Sequence, residues 1–157
     1  MRVFVTGGTG HSGSSIIPEL IAAGHEVTGL ARSDTAAAAL SAHGAKVRRG
    51  DLQDLDGLKE AAADSDGVIH VAHRQDLLPF GGMDAVSAAE LPVMLAYGEA
   101  LAGTGKPLVA AGSIGSSGQL GRPATRIVAF CAPNKTDDQR SLVCFPTRPA
   151  RSVQRSA

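Results

Sequence analysis

The sequence predicts an α/β fold with a doubly wound parallel sheet, and three observations carry that prediction. The apolar run Val3-Phe4-Val5 breaks into the glycines of Thr6-Gly7-Gly8-Thr9-Gly10-His11-Ser12-Gly13 and resumes at helical spacing in Ile16, Ile17, Leu20 and Ile21, which reads as strand, tight turn and helix. Short β-rich runs and helical patterns then alternate as far as a fifth strand ending near Ser113. The fourth of those strands, Asp66 to His73, is apolar almost throughout, as a central parallel strand covered on both faces must be.

Composition narrows the class. A chain of 157 residues is one domain by length, with room for a core. Its 43% hydrophobic content and zero formal net charge suit an ordinary globule and argue against a nucleic-acid binder or a disordered chain. No run approaches a membrane span, and the N-terminus enters a strand without a charged leader, so the expected compartment is the cytoplasm, with no membrane partner. Cys131 and Cys144 make no disulfide framework, and no Cys/His spacing matches a zinc site, so no metal is expected.

The neutral total hides two unlike pieces. Residues 1–121 hold eight Lys and Arg against thirteen Asp and Glu, while residues 122–157 hold seven against two. Both cysteines and four of the eight prolines also fall in the last 36 residues. That shift marks a boundary between a domain at 1–121 and a basic, Pro/Arg-rich tail at 122–157.

Taken in order, each element has a local reason. Gly7, Gly10 and Gly13 fall in a G-x-x-G-x-x-G spacing, which lets backbone approach a pyrophosphate and lets the next helix pack close to the strand. The anion would then sit at a helix N-terminus, where free N–H groups and the helix dipole favour negative charge. That helix runs to Ala23 and stops at Gly24, and His25 to Arg32 reads as the second strand. Ser33-Asp34-Thr35 offers caps for an alanine-rich helix to Ala42, expected to pack loosely because Leu40 is its one large apolar side chain. Ala45 to Arg49 is a short third strand, and Asp51 is a candidate N-cap for a helix from Leu55 to Ala63. After the fourth strand, Gln75 to Gly82 reads as a loop, and a long helix from Met83 to Ala102 carries Pro92 as an expected kink. Gly103-Thr104-Gly105 ends it, and Lys106 to Ser113 is the fifth strand.

Thr6 to Gly13 resembles the T-G-x-x-G-x-x-G turn of the short-chain dehydrogenase/reductase superfamily, with the glycine spacing of its extended and atypical branches. Those branches include NAD(P)-dependent epimerases, dehydratases and reductases of sugars and related carbonyl compounds. The resemblance covers about residues 1–121 and implies a Rossmann sheet of strand order 3-2-1-4-5, here C-terminally truncated. It implies cofactor contacts from Gly7, Thr9, Gly10, His11, Ser12 and Gly13. Arg32 and Ser33 match the position that selects between cofactors, and a cation there favours NADP, with NAD as the alternative. Gly50-Asp51-Leu52 resembles the turn beside the adenine ring. Val71, Ala72 and His73 match the end of the fourth strand beside the cofactor, where His70 reads as a packed strand residue. Ser113 matches the catalytic serine that ends the fifth strand.

The pattern then departs from the superfamily. Its chemistry uses a tyrosine acid/base and a lysine four residues on, one face of one helix. Tyr97 is the chain's one tyrosine, and Leu101 stands four positions later. The last strands and the substrate domain of extended members have no counterpart in the tail, which leads to two readings: a shifted reading frame, or a genuine basic tail for an anionic partner. The expectation is an NADP-binding domain of an oxidoreductase acting on a small carbonyl or carbinol molecule, catalytically impaired as written; the alternative is a non-catalytic NADP sensor or scaffold. Without its usual neighbour, the 83–102 helix is expected to expose Leu91, Leu95 and Leu101 and to self-associate.

Overall fold

Side chains alternate along a strand, and in β1 (Arg2–Thr6) that alternation divides the molecule into two apolar layers. In the computed structural model, which describes residues 1–111, Val3 and Val5 point to one face. There they meet Ile17 of α1 (Gly13–Ala22), Val27 and Ala31 of β2 (Glu26–Ala31) and Leu40 of α2 (Asp34–Ala42). Phe4 points to the other face. It joins Leu58 and Ala62 of α3 (Leu55–Ala63), Val68 of β4 (Gly67–His70), Val93, Tyr97 and Leu101 of α4 (Leu78–Leu101), and Leu108 of β5 (Leu108–Ala110). With β3 (Lys46–Arg49) at the edge, the sheet is parallel throughout in the order β3-β2-β1-β4-β5, as the sequence predicts. Right-handed crossovers of this kind carry the chain ends of β1, β2 and β4 to one edge, where open α/β sheets bind ligands.

Several elements differ from the sequence reading. β4 ends at His70, so Val71, Ala72 and His73 lie in the loop that follows rather than in the strand. The stretch read as a loop from Gln75 to Gly82 holds a 3₁₀ turn at Gln75–Leu77, and α4 already starts at Leu78. Its break comes at Gly82, whose φ of 60° and ψ of −154° are open to glycine alone, while Pro92 sits inside the helix without interrupting it. The helix read from Met83 is thus the part beyond that break.

α2 is not loosely held. Leu40 is fully buried and its methyls fill the space over Gly8 and Gly29, two positions where an added Cβ would stand 2.9 Å or less from Leu40 carbons. One side chain anchors the helix because two glycines make its socket. On α4 the buried positions are Val86, Val93, Ala96, Tyr97 and Leu101, which share one face at helical spacing. Leu101 therefore packs inside, while Leu91 and Leu95, at 59% and 57% exposure, face outward as expected, and Phe80 and Leu78 in the first turn of α4 are exposed as well. No described helix is long and apolar enough to cross a membrane.

Thr6 and His70 are paired neighbours in the β1–β4 register and point into the α4 layer. The Thr6 hydroxyl and His70 Nδ1 are 2.6 Å apart, and the His70 ring meets Tyr97 edge-on at 5.6 Å. His70 is thus the packed, hydrogen-bonded strand residue its sequence setting suggests. Burial holds its imidazole below the ordinary value, outweighing the Glu90 carboxylate, which pulls the other way. Burial likewise raises the Tyr97 phenol well above its ordinary value, against a smaller opposing pull from the nearby Thr6 hydroxyl.

Two outcomes follow. Leu40→Ala is expected to cost about 2–5 kcal/mol in urea unfolding, the range for a large buried aliphatic, where a loosely packed helix would lose far less. For His70, the unfolded chain takes up a proton near the ordinary pKa of 6.5 that the folded chain refuses. Stability therefore falls as pH drops below about 6.5 and levels off only below the depressed folded value. Urea midpoints measured from about pH 8 to about pH 5 are expected to fall more steeply for the wild type than for His70→Gln.

Candidate dinucleotide-binding site

A cleft of about 810 Å³ opens at the carboxyl ends of the strands, a volume suited to a small-molecule cofactor. Its floor is the turn after β1. Gly7 has a φ of 76°, and a Cβ there would lie 2.4 Å from the Ala72 nitrogen, so the turn and the post-β4 loop touch backbone to backbone. A Cβ on Gly13 would lie 2.2 Å from the Gly7 oxygen, which is why α1 starts against the end of β1. The Gly10 N–H donates to the Gly7 carbonyl at 2.9 Å and the Ser14 N–H to the Gly10 carbonyl at 3.0 Å, closing the turn.

The start of α1 is left open for a ligand. Ser12 stands at its N-cap without a side-chain cap bond, and no acidic residue occupies the first turn. The N–H groups of Thr9, His11 and Ser12 meet no acceptor among the described residues. Free donors at the positive end of a helix suit a phosphate. The residues present therefore fit a dinucleotide pyrophosphate.

At the other end of the cleft, Arg32 is the first residue past β2 and is exposed. It makes no ion pair among the described residues. The first acid after it, Asp34, is engaged instead by Arg49 of β3. Asp51 and Leu52 line the cleft facing that end. Asp51 Oδ1 accepts the Gln53 N–H at 2.9 Å, and the N-cap of α3 is Asp54, which accepts the Gly57 N–H at 3.0 Å. The capping role read for Asp51 thus belongs three residues later, where the helix actually begins.

The wall opposite α1 comes from the loop after β4 and from α4. Val71, Ala72, His73 and Arg74 line it, with Ser87 and Glu90 of α4 and Ala111 beyond β5. His73 Nδ1 lies 2.6 Å from Glu90 Oε1, and the Arg74 N–H donates to the same oxygen at a longer 3.4 Å. The Arg74 guanidinium clasps Asp76 through two nitrogens. Bonding to Arg74, aided by the more distant charge of Arg32, holds the Asp76 carboxyl below its ordinary value.

Of the sequence-predicted residues, Gly7, Thr9, Gly10, His11, Ser12, Arg32, Asp51, Leu52, Val71, Ala72 and His73 gather on this cleft. Gly13 lies behind it, where it sets the helix against the strand. Ser33 also stays out: its hydroxyl accepts the Ala36 N–H at 3.2 Å and caps α2. Ser113 lies outside the described residues. Glu90 and Ser87 are cleft residues that the sequence reading passed over. Their spacing of three places them on one helix face, but only the packing of α4 says which face looks inward. Among the described residues no group of three His, Cys, Asp or Glu side chains gathers as metal ligands.

A parallel sheet in this order, with a glycine turn feeding an open helix end, defines a dinucleotide-binding domain of the Rossmann type. Comparison with known proteins takes that one step further. Residues 7–94 match the NAD(P)H-binding family, and the chain belongs to it, among Rossmann proteins of the epimerase and short-chain dehydrogenase/reductase type. An uncharacterized protein of Schizosaccharomyces pombe is 42% identical over 145 residues, covering 90% of this chain and 48% of that protein, so the match runs past residue 121. The decarboxylating sterol-4-alpha-carboxylate 3-dehydrogenase of Dictyostelium discoideum is 47% identical over 71 residues, 45% of this chain and 22% of that enzyme. The structure of Thermus thermophilus UDP-glucose 4-epimerase in complex with NAD shares 30% identity and a TM-score of 0.54, covering 69% of this chain and 36% of that one. The chain thus spans less than half the length of each of these proteins.

Alanine substitutions along the turn are expected to separate by position. Gly7→Ala and Gly13→Ala meet backbone at 2.4 and 2.2 Å and should lower the melting temperature and abolish NAD(P)H binding, whereas Gly10→Ala meets only the Gly7 oxygen at 3.2 Å and should be the mildest. Thermal unfolding with and without NADPH reads the order.

Proposed function

We propose that this chain is the NADP-binding part of an oxidoreductase acting on a small carbonyl or carbinol compound. The observation that carries the choice of NADP is Arg32. It stands at the end of β2 with no acid paired to it among the described residues, because Asp34 is committed to Arg49. A free guanidinium there matches the two-pronged geometry of an adenosine 2′-phosphate, whereas the ribose hydroxyl of NAD is better met by a carboxylate. The pyrophosphate would rest on the N–H groups of Thr9, His11 and Ser12, and the adenine beside Asp51 and Leu52. When bound, the nicotinamide supplies or accepts the hydride; the residues of this chain hold and orient it.

A second reading is a cofactor sensor or scaffold that does no hydride chemistry. It is favoured by Tyr97, the one tyrosine in the sequence, which is wholly buried against Phe4 and His70 rather than facing the cleft. A phenol buried in that way supplies no proton to a bound substrate.

NADPH is expected to raise the melting temperature and to bind more tightly than NADH in calorimetric titration. Arg32→Glu should weaken NADPH by about tenfold or more, since a charge-assisted hydrogen bond contributes about 1.5–3 kcal/mol, and leave NADH affinity unchanged or improved. Equal affinities in the wild type would overturn the NADP preference, and no stabilisation by either nucleotide would overturn cofactor binding.

A further inference from the structure

We propose that His73, held by Glu90, is the acid/base that exchanges a proton with the substrate oxygen in this cleft. The proposal rests on the oxidoreductase reading above and adds a proton donor to it. His73 sits in the loop directly after β4, next to Ala72, whose backbone touches the glycine turn. Its Nδ1 is 2.6 Å from Glu90 Oε1, with the two side chains 37% and 24% exposed. Glu90 comes from α4 and also receives the Arg74 N–H, so one carboxylate fixes both the imidazole and the loop that carries it. A carboxylate on Nδ1 selects the tautomer that leaves Nε2 as the working nitrogen and stabilises the ring when it is charged.

Of the other titratable groups at or beneath the cleft, His11 belongs to the glycine turn, on the phosphate side, and four more are engaged or buried. Tyr97 is buried with its phenol raised, and His70 is buried with Nδ1 bonded to Thr6. Asp76, in the same loop, is kept ionised by Arg74. Asp51 lines the same cleft, close enough for its charge to act on Arg74, and its Oδ1 accepts the Gln53 N–H. The charged groups around His73 are therefore Glu90 on α4, Arg74 and Asp76 that follow it in the chain, Asp51 and Arg32, whose charges act on Arg74 and Asp76, and His70 at the end of β4, whose own titration feels both Glu90 and His73.

The step balances with the reduced nicotinamide as hydride source. The hydride forms the new C–H bond at the carbonyl carbon, the C=O π pair moves to oxygen, and the His73 Nε2 proton passes to that oxygen to give the alcohol. The neutral imidazole left behind regains its proton from solvent. In the oxidative direction Nε2 takes the carbinol proton. Glu90 is a positioning residue throughout.

The test compares the full 157-residue wild type with His73→Gln and Glu90→Gln. Without cofactor, nitrogen NMR of the neutral histidine rings is expected to place the His73 proton on Nδ1, and Glu90→Gln is expected to erase that preference. Diethylpyrocarbonate should acylate His73, as read by peptide mass spectrometry, and NADPH should shield it. With saturating NADPH and benzil or an aromatic aldehyde as carbonyl probe, His73→Gln should lose about 10² to 10⁴ in kcat together with the pH limb that requires the protonated ring. Glu90→Gln should lose less and retain the limb. A mixed tautomer in the wild type, no shielding by NADPH, or an unchanged kcat in His73→Gln overturns the proposal. A wild type that binds NADPH but reduces neither probe overturns it too and leaves cofactor binding standing. A wild type that binds no NADPH brings down the cofactor reading itself.

Discussion

Because Gly13 has no side chain, α1 can rest on the end of β1 with only 2.2 Å between the place of its missing Cβ and the Gly7 oxygen. That contact fixes where the helix starts, and the helix start fixes where the N–H groups of Thr9, His11 and Ser12 point. The same turn touches Ala72 through Gly7, so the loop after β4 inherits its position from the glycines as well. A tight backbone junction of this kind trades side-chain contacts for close approach, and the stability it forgoes must come from elsewhere.

Much of it comes from the layer beneath. Leu40 fills the space over Gly8 and Gly29 and ties α2 to both the turn and β2. That makes the two ends of the cleft one unit: the phosphate-facing turn and the Arg32 end of β2 share a single buried leucine. Surface ion pairs such as Arg48–Glu60 and Lys59–Glu99 join neighbouring elements but are exposed and contribute little each. Asp34–Arg49 matters for another reason, since it removes the nearest acid from Arg32.

Across β1 and β4 the strand alternation sorts polar groups by depth. Thr6 and His70 face inward beneath Tyr97, where burial keeps the imidazole neutral and the phenol protonated. Three residues beyond His70 the chain has left the strand, and His73 stands in the cleft with a carboxylate partner. Two histidines of one short segment thus have different chemistry because one lies in the pleat and the other past its end.

The α/β class was legible because it rests on local signals, the glycine spacing after Val3 to Val5 and the regular change from strand to helix periodicity along the chain, and the strand order followed from the family resemblance that the glycine turn carries. Arg32 was legible for the same reason, as the residue that follows the second strand. Leu40 and Leu101 were misjudged because burial depends on what the opposite element offers, and a socket made by Gly8 and Gly29 is invisible in the sequence of α2. Glu90 was missed because its partner lies seventeen positions earlier, and the rotation of α4 that brings them together is set by Val93, Tyr97 and Leu101 packing in one layer with Phe4, Val68 and Leu108 of the sheet. The sequence by itself determined the fold class, the phosphate-facing turn and the cation at the end of β2, since each is written in residues a few positions apart. The tertiary structure alone decided which helix face looks into the cleft and which acid meets which base, because those depend on packing between elements distant in the chain.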